Sequence, residues 1–591
     1  MKEGKAHITV EMLIYIVIFV IAAALRLSNL GVTPLTDSES EYALSAASFT
    51  NYSSDFWNDG ERTTPLSPVY LIFTAPIFSM FGSSEVSARI IPAIAGIALV
   101  MAPLLLRKRL GSSVALVLAF LFAISPSLVT TSRTAGGDSL SLAGFVFGLS
   151  LLLMVEKGEL ASPWTKWAGI AFGLALASGP FVYHGLFSLV CGGLILLIFR
   201  YRSGMNDFPD AWKEFRSILM FALGSMVFFA AGFGFSITNI SGLAEAVGSW
   251  LSGWGGPVEI PALTALAMLP LYEPLVLILG LVGLVLAWTQ KDEFRLVTSS
   301  WVIGGLIGML IYPSRGGADL VWVIIPLSPL AAQFIVKLAD QITQRVDWQE
   351  FLGLTFLLLV LFAFFYFQIA AFSSGLGPAF DEMNRNLRLW LAIGVLLLGG
   401  AVLIVFGLGW NWSIPRDSLG IAGCLVLIIL NISALWRLNF APTISHAQEL
   451  WRPKVSTYSM RLMVETLEAM SQSYMRRPDT LEVSVHGEIP PAMAWALRDF
   501  PKIGKSLEMG EVAAPVVIAS EEEGLPPLLA EYTGQGLNIQ ERWGWEGFLP
   551  PDPITWWIQR TAPIVDETWV LLIRADIASL GEIGSSEFDA P

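Results

Sequence analysis

Apolar runs of a length that can cross a lipid bilayer recur through the first three quarters of this chain. A membrane-spanning helix needs roughly 17–25 apolar residues, and thirteen runs reach or approach that length. They lie at 8–27, 86–106, 112–130, 139–155, 164–178, 181–199, 216–236, 271–289, 296–312, 319–338, 351–372, 388–408 and 418–437. The chain is 54% hydrophobic and 14% charged, whereas soluble proteins carry about 25% charged residues. The sequence therefore predicts a polytopic α-helical membrane protein and excludes a soluble one.

The last quarter of the chain has a different composition. Residues 441–591 hold 22 acidic and 11 basic side chains, and so contribute −11 to the net charge of −14. Helix-like and strand-like segments alternate there, which predicts a small α/β domain. We expect helices at 455–475, 491–500 and 526–532, and strands at 481–485, 515–519 and 569–574. We divide the chain into a membrane domain, 1–440, and a soluble domain, 441–591, whose acidity argues against nucleic acid as a partner.

Basic residues in short loops predict which side of the membrane each loop occupies. Loops rich in Lys and Arg stay in the cytoplasm, and about thirteen crossings place all the basic loops on one side. The residues concerned are Lys2, Lys5, Arg107, Lys108, Arg109, Lys157, Arg200, Arg202, Lys213, Arg216, Lys291, Arg295, Arg345 and Arg416. The N-terminus is then cytoplasmic and the C-terminal domain extracytoplasmic, in a multi-pass protein of the plasma membrane.

The segment 66–82 decides this orientation. It is apolar but short, and it contains Pro68 and Pro76. If it crossed the bilayer, Arg107 and its basic neighbours would lie outside, against the positive-inside rule. We therefore expect a helix that lies along the outer interface. Four polar clusters, distant in sequence, then share the outer face.

The first cluster opens the loop after the first span. Asp37 and Glu39 lie a few residues beyond the membrane exit, before the helix-like stretch 42–46. A carboxylate in that position either is solvated or faces a cleft and acts as a general base. Three later carboxylates of the loop are expected to be solvated only: Asp55, Asp59 and Glu61.

The second cluster runs from Ser132 to Asp138. Arg133 and Asp138 either pair to anchor the loop or serve a site, in which the planar guanidinium of Arg133 would bind a lipid phosphate. Asp138 would then orient the acceptor or the base. We assign Asp138, with Asp37 and Glu39, to the candidate catalytic residues.

The remaining clusters lie at the starts or ends of later spans. Glu273 follows Tyr272 where a span begins, and it either serves a site or simply favours the helix N-terminus. Arg315 is a second candidate phosphate ligand, or else an interfacial anchor. His184 is interpreted as structural. Tyr272, Glu273, Arg133 and Arg315 form the predicted substrate-binding set.

Several common chemistries have no motif in this chain. It contains no GxxxxGK[ST] loop for nucleotide phosphates, no HExxH and no CxxC pair. With four histidines, a dedicated zinc site is not expected. No cofactor is assigned, and a divalent cation held by the carboxylates is left open. A phospho-substrate dissolved in the membrane fits the placement of the polar clusters best.

Motif pieces spread over 17–153 resemble the N-terminal half of the GT-C glycosyltransferases. No single piece is specific for this superfamily, but the order and spacing of the pieces together are. The pieces are Ala24-Leu25-Arg26-Leu27, Asp37-Ser38-Glu39, Thr64-Pro65-Leu66, Phe81-Gly82-Ser83-Ser84-Glu85, Ala88-Arg89-Ile90-Ile91-Pro92, Arg107-Lys108-Arg109-Leu110-Gly111 and Ser125-Pro126 through Arg133 to Asp138. Within that superfamily the pieces resemble family 39, which includes the protein mannosyltransferases that use dolichyl-phosphate mannose and the lipid A aminoarabinose transferases. Leu271-Tyr272-Glu273-Pro274 and residues 494–500 resemble a subgroup associated with flippase activity in archaeal N-glycosylation.

The resemblance implies an inverting transfer of a sugar from a polyprenyl-phosphate donor, at the outer face of the membrane, to a glycan, lipid or protein acceptor. A first-loop carboxylate would deprotonate the acceptor, and arginines would compensate the charge of the leaving lipid phosphate. The family usually has adjacent Asp-Glu in this loop. Here Glu39 holds the Glu register, Ser38 holds the Asp register and Asp37 stands one step earlier, so the base is Asp37 or Glu39, and we favour Asp37.

Two further departures concern the donor. The family's His or Lys before the interfacial Pro-Leu is Thr64 here, and its lysine after the fifth span is replaced by Ser178-Gly179-Pro180. These changes fit an altered donor or an inactive member. The alternatives to a glycosyltransferase are therefore a flippase or transporter of lipid-linked sugar and a noncatalytic subunit of an envelope glycosylation complex.

Overall fold

The computed structural model describes residues 9–49, 66–154, 163–203, 212–290, 293–343, 347–374, 382–441, 446–501, 503–505 and 513–577. Several residues named above lie outside these ranges: Lys2, Lys5, Asp55, Asp59, Glu61, Thr64, Lys157, Lys291 and Arg345.

Helices make up the N-terminal part of the chain. The first eleven are α1 Val10–Leu27, α2 Asp37–Ser48, α3 Pro68–Phe81, α4 Glu85–Met101, α5 Arg107–Leu110, α6 Ser112–Ile124, α7 Pro126–Ser132, α8 Asp138–Leu153, α9 Pro163–Leu176, α10 Phe181–Arg202 and α11 Trp212–Ala230. The next eight are α12 Ser241–Ser252, α13 Ala262–Tyr272, α14 Pro274–Gln290, α15 Glu293–Ile311, α16 Val321–Thr343, α17 Trp348–Ser374, α18 Glu382–Gly409 and α19 Ser413–Phe440. Every predicted apolar run coincides with one of these helices or a consecutive pair.

The number of helices that can span a membrane is smaller than thirteen. Within the described ranges, eight are long and apolar enough, or ten if each of two bent pairs counts as one span. The remaining predicted spans form shorter helices: α8 has 16 residues, α9 has 14, and the apolar part of α11 is Arg216–Ala230. The bent pairs are α6 with α7, at 59°, and α13 with α14, at 96°. Each break falls just before a proline, Pro126 or Pro274, whose ring disfavours helical backbone at the preceding residue.

The first loop carries two further helices, α2 and α3. Helix α2 begins with a capping box, in which Thr36 and Glu39 satisfy each other's backbone N–H groups. Helix α3 has 14 residues and is thus about 21 Å long, too short for a hydrocarbon core of about 30 Å. The N–H of Ala135 donates to Glu39 at 2.9 Å. The acidic loop and the Arg133 turn therefore lie at the same side of the helical domain.

The C-terminal part contains one six-stranded mixed sheet. Its strands are β1 Lys454–Ser456, β2 Val483–His486, β3 Ile503–Lys505, β4 Val516–Ser520, β5 Tyr532–Trp543 and β6 Ile564–Arg574, in the order β1-β5-β6-β4-β2-β3. Strand β2 pairs in parallel with β3 and β4, and the other pairings are antiparallel. The helices are α20 Ser459–Met475, α21 Pro491–Ala496 and α22 Pro553–Gln559. The predicted helix at 526–532 is wrong, because that segment is an irregular approach to β5.

Buried polar contacts join the sheet domain to the helices. The Tyr272 hydroxyl donates to Glu449 at 2.7 Å, and Arg560 pairs with the same carboxylate at 3.2 Å. Arg498 donates to the Ser83 carbonyl at 2.7 Å. These contacts fix the sheet domain over the ends of the helices where α2 and the Arg133 turn lie.

Candidate functional site

A cavity of about 460 Å³ lies beside α2, at the helix ends nearest the sheet domain. Its lining combines carboxylates, aromatic rings and small residues from five separate parts of the chain. The lining residues are Ser38, Tyr42, Thr134, Ala135, Asp138, Pro180, Phe181, His184, Ser249, Trp250, Ser252, Gly253, Gly256, Pro257, Tyr312, Ser314, Gly316, Ala318 and Asp319. Three of the four clusters predicted from sequence contribute to this lining: the Arg133 turn, the Arg315 turn and, through Ser38, the first-loop cluster.

Asp138 is the carboxylate of the predicted catalytic set that lines the cavity. It is the first residue of α8, where a negative charge is favoured by the helix dipole. It has no hydrogen-bonding or ion-pairing partner among the described residues. The loop before it is tightly packed, since a Cβ on Gly137 would lie 1.5 Å from the Ser178 carbonyl oxygen. Close packing therefore holds the start of α8, with Asp138, against the cavity.

Asp319 is a second cavity carboxylate, and sequence reasoning missed it. It caps the turn Gly317–Leu320, where its side chain accepts from the Gly316 N–H at 2.9 Å. It interacts electrostatically with Asp138. The signal was present in the sequence, because Asp319 is a carboxylate at the start of an apolar run, as Glu273 is.

His184, interpreted from the sequence as structural, also lines the cavity. It is 2% exposed, yet neither ring nitrogen has a hydrogen-bonding partner within the described part of the chain. Its ring lies 5.1 Å from that of Tyr312, between centroids. A buried polar group without a partner is costly, and this one borders the cavity, so a bound ligand is the partner that the site can provide.

Aromatic rings form one wall of the cavity. Trp250 and Tyr312 stack with an interplanar angle of 18°, and the Tyr312 hydroxyl donates to the Trp250 carbonyl at 3.1 Å. The Trp250 indole N–H has no partner among the described residues. Flat apolar faces beside unpaired donors and acceptors suit a ligand that has both C–H surfaces and hydroxyl groups.

The first-loop carboxylates do not face this cavity. Asp37 accepts from the Gln540 side chain at 2.8 Å and from the Ala492 N–H at 3.1 Å, both in the sheet domain. Between Asp37 and Glu39, Ser38 faces the cavity. Successive residues of a helix point about 100° apart, so the flanking acids are turned away. The register in which the resembling family has its aspartate thus holds a hydroxyl.

Glu39 is fully buried in an ion pair. Arg89 donates to its two oxygens at 2.8 and 2.9 Å, and Ala135 donates to it as well. Burial alone would raise the pKa of Glu39, but the charges of Arg89 and Arg452, together with the hydrogen bonds from Arg89 and Ala135, outweigh it and hold the pKa at about 2. Such a carboxylate is a very weak base, so the general-base role expected for Glu39 does not fit its surroundings.

The two predicted phosphate-binding arginines bind backbone carbonyls instead. Arg133 donates to the carbonyls of Leu25 at 2.9 Å and Ser28 at 2.7 Å, at the C-terminal end of α1. Arg315 donates to those of Met309 at 2.8 Å and Ile260 at 2.7 Å. Neither side chain lines the cavity. Both match the anchoring alternative and not the phosphate ligand expected from the sequence.

Tyr272 and Glu273 lie at the 96° bend, outside the cavity lining. Glu273 accepts from the Ser125 hydroxyl at 2.5 Å and the Ser127 N–H at 2.8 Å, which ties this bend to the 59° bend. Tyr272 bonds to Glu449 of the sheet domain. Their contacts are those of residues that hold the architecture together rather than of substrate ligands.

An arginine of the sheet domain reaches the cavity lining. Arg452 donates to the Thr134 hydroxyl at 3.0 Å, and Thr134 lines the cavity. Burial lowers the pKa of Arg452, partly offset by the charge of Glu39. Sequence reasoning placed no functional residue in the sheet domain, because a single arginine outside the apolar runs carries no recognisable pattern. The described residues contain no cluster of three or more His, Cys, Asp or Glu arranged to hold a metal ion.

Comparisons with known proteins show which proteins this chain resembles in sequence and in fold. The family model described as dolichyl-phosphate-mannose-protein mannosyltransferase matches residues 64–223. The solved structure of ArnT from Cupriavidus metallidurans bound to undecaprenyl phosphate aligns with 95% of this chain and 98% of its own, at a TM-score of 0.50 and 14% identity. The chain has a GT-C fold. The apo form of that ArnT aligns equally well.

The resemblance to the GT-C superfamily, and the predicted fold class of a polytopic helical domain with a C-terminal α/β domain, are thus confirmed. A curated relative is 38% identical over 87 residues: the probable 4-amino-4-deoxy-L-arabinose-phosphoundecaprenol flippase subunit ArnE of Sodalis glossinidius (strain morsitans). That match covers 15% of this chain and 60% of ArnE, so the chain spans less than two thirds of the length of this relative.

Proposed function

We propose that this GT-C protein is an inverting glycosyltransferase that moves a sugar from a polyprenyl-phosphate donor to an envelope acceptor, in the cavity lined by Asp138. The observation that carries the proposal is the Asp138 carboxylate, which faces a 460 Å³ cavity without a partner in the described chain. The ArnT relative binds undecaprenyl phosphate, which supports a polyprenyl-phosphate donor here. The cavity would open to the extracytoplasmic side, with the N-terminus in the cytoplasm.

The chemistry requires one proton acceptor and one leaving group. The acceptor hydroxyl oxygen attacks the anomeric carbon, and the bond from that carbon to the phosphate oxygen breaks. The electron pair leaves with the lipid phosphate, and the hydroxyl proton passes to Asp138. Burial and the negative charge of Asp319, next to Asp138 in the lining, both raise the pKa of Asp138 and so favour its uptake of the proton.

The leaving phosphate needs a positive charge nearby. Because Arg133 and Arg315 bind backbone carbonyls, that role falls to Arg452, whose guanidinium lies at the Thr134 rim. Preplaced donors of this kind stabilise the charge that develops on a leaving group. His184 and Trp250 would then supply hydrogen bonds to the sugar.

A second candidate function is transport of a lipid-linked sugar without chemistry, and the 87-residue similarity to a flippase subunit favours it. Transporters place their binding sites near the bilayer midplane. The candidate cavity lies instead at helix ends: Asp138 begins α8, and Tyr312 directly follows α15. This location favours the enzyme over the transporter, and over a noncatalytic subunit, which would not need an unpaired cavity carboxylate.

The proposal is tested by the release of polyprenyl phosphate from radiolabelled polyprenyl-phosphate sugars in membranes that contain the full-length protein. We expect Asp138→Asn to lower the rate at least 100-fold, as removal of a general base commonly does. The matched control is Asp499→Asn. Asp499 is an exposed carboxylate of the sheet domain that pairs with Arg498, and this variant should retain activity. Wild-type rates in Asp138→Asn, or transbilayer movement of the lipid without release, would exclude this chemistry.

A further inference from the structure

Three helices connect the cavity to the opposite end of the membrane domain. Helix α8 runs from Asp138 to Leu153, α15 runs from Glu293 to Ile311 just before Tyr312, and α16 follows Asp319. Helix α15, with 19 residues, is about 28 Å long, close to the thickness of a hydrocarbon core. The far ends of these helices therefore lie at the other face of the membrane.

A second cleft lies at those far ends. It has a volume of about 670 Å³, and it is lined by Arg109, Leu110, Val114, Glu293, Phe294, Arg295, Gln333, Val336, Lys337, Asp340 and Gln341. Three of these side chains are basic and two are acidic. Glu293 already pairs with Arg200, at 3.1 Å, outside the cleft. The described residues of the lining therefore carry a net positive charge, although the Arg295 guanidinium also donates to the Gln333 side chain at 2.7 Å.

An apolar crevice of about 80 Å³ adjoins the polar cleft and shares Phe294 with it. It runs between α6, α8, α15 and α16, and is lined among others by Leu118, Leu149 and Pro326. Leu106 and Leu153 border it near the cleft. A charged cleft at the membrane surface that continues into an apolar crevice matches the charged headgroup and the apolar acyl chain of a lipid.

We propose that this cleft and crevice bind an anionic phospholipid, with its phosphate among Arg109, Arg295 and Lys337 and part of an acyl chain in the crevice. The excess of positive charge selects an anionic headgroup over a zwitterionic one. Each basic side chain at a membrane surface contributes about a fivefold preference for anionic lipid. The site is distinct from the candidate active site, since the length of α15 separates them. It lies on the face that the positive-inside rule predicts to be cytoplasmic.

The test is native mass spectrometry of the purified full-length protein titrated with phosphatidylglycerol, phosphatidylethanolamine or phosphatidylcholine. We expect phosphatidylglycerol to be retained best, and the double variant Arg295→Gln/Lys337→Gln to bind it roughly 10- to 30-fold more weakly. The double variant Lys108→Gln/Lys166→Gln removes two exposed charges that do not line the cleft. It should bind phosphatidylglycerol like the wild type.

A third variant tests the crevice. Leu149→Trp places a larger side chain in the crevice without changing the charge, and it should also weaken phosphatidylglycerol binding. Melting temperatures of all variants, followed by tryptophan fluorescence, show that each is folded. Equal retention of the three lipids, or equal loss of phosphatidylglycerol in the cleft and control variants, would overturn the proposal.

Discussion

Arg89 holds the carboxylate of Glu39, a residue of the cavity-facing helix α2, in a bidentate ion pair with N–O distances of 2.8 and 2.9 Å. The same arginine donates to the carbonyls of Leu30 and Thr33, at 2.8 and 2.7 Å. One ion pair thus fixes the course of the chain from the end of α1 into α2. Its function is to position the helix that presents Ser38 and Tyr42 to the cavity, and the chemistry falls to other residues.

Glu39→Gln should destabilise the folded protein because it leaves Arg89 buried without its counter-charge. Removing one partner of a buried ion pair costs about 3–5 kcal/mol. The apparent melting temperature of the detergent-solubilised protein is the measurement. Glu85→Gln is the control, since the ion pair between Glu85 and Arg461 is longer, at 3.7 Å, and both of its side chains are partly exposed. A melting temperature equal to that of the control would show that the pair is dispensable.

The contribution of Glu39 to stability should depend on pH. Its pKa is about 2 in the folded protein against an ordinary value of 4.5. A lowered pKa stabilises the fold fully above the ordinary value, and this stabilisation is lost as the pH falls from about 4.5 towards 2. The difference in melting temperature between wild type and Glu39→Gln should therefore shrink between pH 7 and pH 3. A difference that is constant or grows on acidification would contradict the ion pair.

Two arginine substitutions should have different effects. Arg133→Gln removes donors to carbonyls at the end of α1 and should lower the melting temperature while leaving the affinity for polyprenyl phosphate unchanged. Arg452→Gln should weaken that affinity at least tenfold, because a charge-assisted hydrogen bond contributes roughly 1.5–3 kcal/mol, with less effect on melting. Affinity is measured with radiolabelled undecaprenyl phosphate. The reverse pattern would return the phosphate-binding role to Arg133.

Gly137→Ala should remove activity by displacing Asp138. The added Cβ would collide with the Ser178 carbonyl, a backbone atom that cannot rotate away, so the start of α8 must shift. The matched control is Gly193→Ala, where nothing lies within 4 Å of the new methyl group and the helix propensity of alanine is favourable. Sugar transfer in membranes measures both. Full activity in Gly137→Ala would mean that the position of this loop is not critical.

The helices were accessible from sequence, since apolar length alone predicts where a chain enters and leaves a bilayer. The two sharp bends were harder to predict from the sequence, although Pro126 and Pro274 follow them directly. The roles of the arginines could not be predicted, because a guanidinium near a helix end binds lipid phosphate and backbone carbonyls equally well. Which groups Arg133 and Arg315 bind depends on where the carbonyls at the ends of α1 and α15 lie in the folded protein. That Asp138, Asp319 and His184 line the same cavity is a result of tertiary structure that no local sequence pattern encodes.

The most direct test compares Asp138→Asn with Asp37→Asn in one assay, the release of polyprenyl phosphate from a polyprenyl-phosphate sugar by equal amounts of folded protein. Asp37 accepts hydrogen bonds from the Gln540 side chain and the Ala492 N–H, whereas Asp138 faces the cavity and has no partner among the residues that the structure describes. We expect Asp37→Asn to keep most of its activity and Asp138→Asn to lose at least 99% of it. Loss of activity in Asp37→Asn with retention in Asp138→Asn would place the reaction outside this cavity.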